Sequence, residues 1–252
     1  MNGVRCTLSH TSMPAISFKN VTKIYYRDFW RRQPVKALNS FSLEVDPGSC
    51  FAFLGLNGAG KSTAIRALLG FTRPTGGSAH IHNRLDTIHP LTGVGFLAEN
   101  IGLPGHVSPE CFLRSVGKLA GMSISRAAER TAEILEFVGL AGIKGQVKNL
   151  SRGMRQRLGL AQALIHDPDL LILDEPFTGL DIAGRREIID RLQQLHQQGK
   201  TIFFSSHILE DVARLATHVG IIHRGQSLGV YPVDGFENGE LETFFLEKIS
   251  AP

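Results

Sequence analysis

No apolar stretch in this chain of 252 residues approaches the roughly 20 residues that a bilayer-spanning helix needs. The most apolar segments, such as Leu170 to Leu173, are short and read as buried strands. Any action at a membrane therefore calls on other chains to do the spanning. The first residues, MNGVRCTLSHTSMP, lack the apolar core of a secretory signal. Residues 1–14 read as a disordered tail, with Met13 as an alternative start, ahead of a strand-like run from Ala15 to Phe18. Cysteine is scarce: Cys6, Cys50 and Cys111 are odd in number and have no metal-type spacing. That argues against a disulfide framework or a zinc site, and for a reducing cytoplasm. A strong excess of one charge is also missing. The formal balance of +4 is too mild to call for nucleic acid, and none is expected as a partner.

What the chain does have is a globular composition, 42% hydrophobic and 20% charged, in a length suited to one large domain or a core with a satellite. Short apolar runs alternate with helical patterns, which predicts an α/β fold with a mostly parallel sheet. Ser49 to Leu54 reads as a strand, followed by a Gly-rich turn and a helix from about Lys61 to Leu69. Leu170 to Asp174 and Thr201 to Ser205 read as further strands. From about Ser108 to His166 only helical patterns appear. Ala127, Thr131, Ile134, Leu135 and Val138 recur at helical spacing, so Arg126 to Val138 is an amphipathic helix. This stretch reads as a helical subdomain, about residues 99–166, inserted into an α/β core.

Gly55 to Thr63 is GLNGAGKST, which fits G-x-x-x-x-G-K-[ST] between a predicted strand and a predicted helix. In such a loop Gly55, Asn57, Gly58, Ala59 and Gly60 turn backbone N–H groups toward phosphate oxygens, and the new helix adds its positive end. Lys61 supplies a charge for the β- and γ-phosphates, Ser62 a hydroxyl for Mg²⁺, and Thr63 continues the cradle. Without the strand and helix around it, the segment would be only a Gly-rich turn. LLILDEP, Leu170 to Pro176, sets Asp174 and Glu175 at a strand end. Alternation along a strand predicts that the two carboxylates face opposite ways and do different work. Asp174 suits the Mg²⁺ shell, and Glu175 can orient and polarise an attacking water. His207 follows the strand TIFFS at the same edge of a parallel sheet, where open α/β sheets bind ligands. It is placed to contact the γ-phosphate.

Leu150 to Arg157 is LSRGMRQR, a helix start with Ser151 as N-cap and with Gly153 leaving the first turn open to a close-approaching group. It lies between the phosphate loop and LLILDEP, and Asp181 follows in TGLD. This order of motifs resembles the ATP-binding cassette (ABC) superfamily over nearly the whole chain, from about Ala15 to Ile249. The resemblance implies a P-loop NTPase of the ABC ATPase class, with an N-terminal antiparallel β subdomain beside the mostly parallel sheet. It makes Gly55 to Thr63 the Walker A loop, Asp174 and Glu175 the Walker B pair and Ser151 to Gln156 the signature. Asp181 becomes the D-loop acid and His207 the H-loop residue. Tyr25, with Tyr26 as fallback, would stack on adenine, because KIYY aligns with the family's K-x-Y. Each ATP would then lie between the Walker A loop of one chain and Ser151 and Gly153 of another.

Three positions depart from the family pattern. Glu99 stands where Gln is usual, and a carboxylate there can also ligate Mg²⁺. Arg152 replaces the commoner Gly of the signature, and Ala98 replaces a Pro. With Glu99 and LSRGMRQR, and with GELETFFLEKIS as the last helix and no further regulatory domain expected, the chain resembles bacterial exporter-type cassettes. The expected cofactors are ATP and Mg²⁺. The expected partners are a second ATP-binding subunit, identical or not, and integral membrane permease subunits at the cytoplasmic face of the inner membrane. A soluble ABC ATPase acting on ribosomes or DNA is the rival reading. Such relatives carry two cassettes or long coiled coils, and neither is seen here. The basic loop Arg27 to Lys36, with Phe29 and Trp30, reads as a solvated hairpin or as a contact for a lipid headgroup or partner.

Overall fold

The computed structural model describes residues 13–26, 32–81, 91, 93–236 and 239–250. In chain order the elements are β1 (Ile16–Tyr26), β2 (Pro34–Val45), β3 (Cys50–Leu54), α1 (Lys61–Leu68), β4 (Gly76–Ile81) and β5 (Val94–Leu97). Three helices follow, α2 (Pro109–Leu119), α3 (Ile124–Phe137) and α4 (Arg152–Leu164). Then come β6 (Leu170–Leu173), α5 (Ile182–Gln197), β7 (Thr201–Ser206), α6 (Leu209–Leu215), β8 (His218–His223), β9 (Gln226–Pro232) and α7 (Glu240–Ser250). The basic loop and the tail fall largely outside the described residues, including Phe29 and Trp30.

Strands β5-β6-β7-β3-β8-β9 form one sheet, parallel except for the β8–β9 hairpin. Its central strands β6, β7 and β3 are buried throughout because both faces are covered. Alternation sorts them between two cores. Cys50, Ala52, Leu54, Leu171, Leu173, Ile202 and Phe204 face the core shared with α4 and α5. Phe51, Phe53, Leu170, Ile172 and Phe203 face the other core, shared with α1 and the antiparallel sheet β2-β1-β4. Phe41 joins the two layers there, edge-on to Phe18 at 5.2 Å and tilted against Phe53 at 5.6 Å. Replacing one such ring by alanine costs about 3–5 kcal/mol.

Between β5 and β6 the described regular elements are all helical, as the sequence predicts. Each start is set by a serine: Ser108 Oγ accepts from Cys111 N at 3.1 Å, with Pro109 at the first helical position, and Ser123 Oγ accepts from Arg126 N at 3.2 Å. The cap at Ser123 makes α3 begin two residues before the expected Arg126. Arg157 on α4 donates to Val138 O at the end of α3 (2.9 Å) and to Glu187 on α5 (2.8 Å), tying the helical insert to the core. Strand β1 is far longer than the expected Ala15 to Phe18. Its polar second half is held by pairing with β2, with Tyr25 opposite Val35 and Tyr26 opposite Pro34.

Candidate nucleotide site

The site grows from the order β6-β7-β3, which brings three strand ends together. Parallel register sets Leu173 beside Phe204 and Leu54 beside Ser206, so the segments leaving β6, β7 and β3 emerge at one edge. Residues 55–60 bridge β3 to α1. Two of the glycines there are dictated by close approach. A Cβ on Gly60 would stand 2.6 Å from the Ala37 carbonyl at a left-handed φ of 113°, and one on Gly55 would stand 2.6 Å from the Ile222 carbonyl. Gly60 caps α1 without a side-chain hydrogen bond, and the first turn holds no acid. The leading N–H groups of that helix therefore face the loop as an anion cradle. A cavity of about 280 Å³ opens there, lined by Ala37, Leu56, Asn57, Gly58, Gly60, Lys61, Ser62, Thr63, Glu99 and Glu175.

Lys61 is buried, yet its ammonium donates to Gly55 O at 2.6 Å and lies 3.3 Å from Glu175 Oε1. The other oxygen of that carboxylate lies 2.9 Å from His207 Nδ1. Asp174 takes a separate environment: Ser205 Oγ donates to its Oδ1 at 2.6 Å and accepts from Glu175 N at 2.9 Å. The two acids are parted by a turn rather than by the alternation expected from the sequence. Strand β6 ends at Leu173, Asp174 N still reaches Leu97 O at 2.8 Å, and Glu175 then adopts a left-handed φ of 51°. That backbone state costs about 1–3 kcal/mol and is retained only when neighbours over-determine it. Gln156 Nε2 supplies part of this restraint by donating to the carbonyls of Pro176 (3.0 Å) and Glu175 (3.3 Å).

The other sequence-predicted residues divide into those beside the cavity and those away from it. Glu99 lines it, and Gly55 and Ala59 shape the loop behind it. Tyr25 does not line the cavity. It stands on the β1–β2 edge, 37% exposed, with the Lys23 ammonium 5.1 Å from its ring centroid. Ser151 and Asp181 also stand apart, each exposed and each capping a helix. Ser151 Oγ accepts from Met154 N at 3.2 Å, and Asp181 Oδ1 accepts from Gly184 N at 2.7 Å. Gly153 is not open to an outside group at its Cβ position. A Cβ there would lie 3.2 Å from the chain's own Gly179 carbonyl, so the signature packs on the TGLD turn of the same chain.

Two participants were missed by the sequence reading, and a third, Gln156, was read only as the last residue of the signature. Ala37 sets its carbonyl close against Gly60, and nothing in KALN signals it. Gln156 acts on backbone from another element. Ser205 could have been found, since a hydroxyl inside the apolar run TIFFSS must find a buried partner.

A phosphate loop at the carboxyl edge of a parallel sheet, faced by one carboxylate beside a lysine and a histidine and a second held apart, defines the P-loop ATPase class. The chain belongs to the ABC transporter family, whose model matches residues 38–178, and it is an ATPase of that family. It is 38% identical over 239 residues to the uncharacterized ABC transporter ATP-binding protein all4389 of Nostoc, covering 88% of this chain and 71% of that one. It is 39% identical over 219 residues to the Nod factor export ATP-binding protein I of Cupriavidus metallidurans, covering 84% of this chain and 69% of that one. Across four such relatives the chain spans between 60% and 71% of their length. The dimeric structure of MJ0796, a bacterial ABC transporter cassette, superposes with a TM-score of 0.77 at 25% identity, over 88% of this chain and all of that one.

Proposed function

We propose that the chain is one half of a paired ATP-driven motor for export, working beneath separate membrane-spanning subunits at the cytoplasmic face. The observation that carries this reading is the carboxylate of Glu175, held at the loop mouth between Lys61 and His207. Lys61 takes the β- and γ-phosphates and in doing so lets go of Glu175. Glu175 then orients the attacking water and accepts its proton, while His207 contacts the γ-phosphate and fixes the Glu175 rotamer. Gly55, Asn57, Gly58, Ala59, Gly60 and Thr63 cradle the phosphates, and Tyr25 stacks on the adenine from the β1–β2 edge.

Among the described residues no three His, Cys, Asp or Glu side chains cluster as a metal site. Mg²⁺ fits this donor set because it is usually held by one or two carboxylates together with the substrate's phosphates. Ser62, Asp174 and Glu99 would hold it, and it would supply positive charge to offset that of the β- and γ-phosphates.

Ser151, Gly153 and Asp181 are exposed or half-exposed and do not line the cavity of their own chain. That placement supports a site shared between two copies, each closing over the ATP of the other. Glu99, the signature LSRGMRQR and the export role in one relative's name support export. In a solution test, purified Glu175→Gln chain with ATP and Mg²⁺ should run as a dimer in size-exclusion chromatography with light scattering. A monomer that turns ATP over at the wild-type rate would contradict the reading.

A further inference from the structure

At the junction of α5 and α6 an ion pair between the half-buried Arg185 and the buried Asp211 is left incompletely satisfied. Arg185 Nη1 lies 3.6 Å from Asp211 Oδ1, longer than a charge-assisted hydrogen bond. Arg185 Nε and Asp211 Oδ2 are both buried and have no hydrogen-bond partner. Burial pushes the Asp211 carboxyl up to about 6, with Glu210 and Glu175 adding to the rise and Arg185 and Arg214 opposing it. Such a pair does little for the stability of the fold. A cost of this kind is the usual mark of a group held for what it does.

Its place in the fold indicates what that is. Arg185 lies in the first turn of α5, behind the N-cap Asp181 and behind Ile182, which is 91% exposed. Asp211 lies in the first turn of α6, which begins two residues after His207. The turn between is bridged across His207, where Ile208 N donates to Ser206 Oγ at 2.9 Å.

We propose that Arg185 and Asp211 form a positioning pair that couples the Asp181 end of α5 to the His207 turn and holds the imidazole against Glu175. This rests on the site reading above, in which His207 serves hydrolysis. The pair touches no nucleotide; it acts through His207 alone.

The test uses the full chain in four variants: Asp211→Asn, Arg185→Lys, His207→Ala and the double variant Asp211→Asn/His207→Ala. For each, kcat and KM of ATP hydrolysis and the melting temperature are measured. Asp211→Asn should melt no lower than wild type at neutral pH, yet lose roughly tenfold to a hundredfold in kcat, as misplacement of a catalytic group does. Its ATP affinity should be unchanged. The double variant should be no slower than His207→Ala alone. Arg185→Lys keeps the charge but not the guanidinium, and should show the same kcat loss with KM intact. It also carries the comparison if Asp211→Asn fails to fold. The proposal is overturned if both pair variants hydrolyse at the wild-type kcat, or if the losses from Asp211→Asn and His207→Ala multiply. It is equally overturned if only the melting temperature falls. Should His207→Ala itself turn over normally, the site reading falls and the coupling with it. Normal pair variants beside an impaired His207→Ala remove the coupling alone.

Discussion

Nδ1 of His207 lies 2.9 Å from Oε2 of Glu175, joining residues 32 apart in sequence from the ends of two adjacent strands. Lys61 lies 3.3 Å from the second oxygen of the same carboxylate. Glu175 is thus held at both oxygens, and its backbone is fixed by Ser205 and Gln156. If Glu175 is the general base, as proposed, its backbone restraints and the His207 contact still set its direction once Lys61 has turned to the phosphates.

Glu175→Gln keeps the shape and a hydrogen bond to His207 but removes the negative charge. Turnover should fall about 10²- to 10⁴-fold, the usual contribution of a general base. ATP affinity by calorimetry should be unchanged or tighter, because Lys61 loses a competing partner. Turnover near the wild-type rate would remove Glu175 from this role.

Lys61→Ala takes away the cation proposed to meet the phosphates and leaves Glu175 with one charged partner fewer. ATP binding should weaken roughly tenfold to a hundredfold, in line with a lost charge-assisted hydrogen bond. Calorimetric titration with ATP checks it; unchanged affinity would contradict the phosphate-loop assignment.

Ser205→Ala removes the hydroxyl that joins Asp174 Oδ1 to Glu175 N. Leaving those buried groups unpaired should cost about 1–3 kcal/mol in urea denaturation. Turnover should fall as well, since the left-handed turn at Glu175 loses a restraint. Full activity with full stability would show that the turn is held by other contacts.

The elements that carry motifs were legible because their patterns are local. Strand β3, helix α1, strand β6 and strand β7 lie within a residue of the predicted bounds. Strand β4, GGSAHI, was not legible: two glycines and a histidine carry no strand signal, and only pairing with β1 makes it one. The same holds for the site. Gly55, Lys61, Glu175 and His207 could be read from spacing, whereas Ala37 and Gln156 enter through backbone contacts that tertiary packing alone creates. The left-handed turn at Glu175 was invisible because an acid at positive φ has no sequence mark.

Asp211 offers a pH test of the fold. Its carboxyl is raised from 3.8 to about 6, so the folded chain holds this proton more tightly than the unfolded one. Stability contributed by the protonated form is then lost as pH rises from about 4 to about 6. Thermal melts across that window should show this fall in wild type and not in Asp211→Asn. Parallel curves for the two proteins would contradict the assignment.

The shared site is the central claim, and Ser151→Arg tests it most directly. Gly153 is a poorer probe, because a side chain there would press on the chain's own Gly179 carbonyl. Ser151 is exposed, and losing its cap on α4 costs only about 1 kcal/mol. ATP binding to the single chain should therefore persist in Ser151→Arg, while ATP-driven pairing and turnover are both lost. If Ser151→Arg, run as a monomer with ATP and Mg²⁺, hydrolyses at the wild-type rate, each chain is complete alone and the paired-site account is wrong.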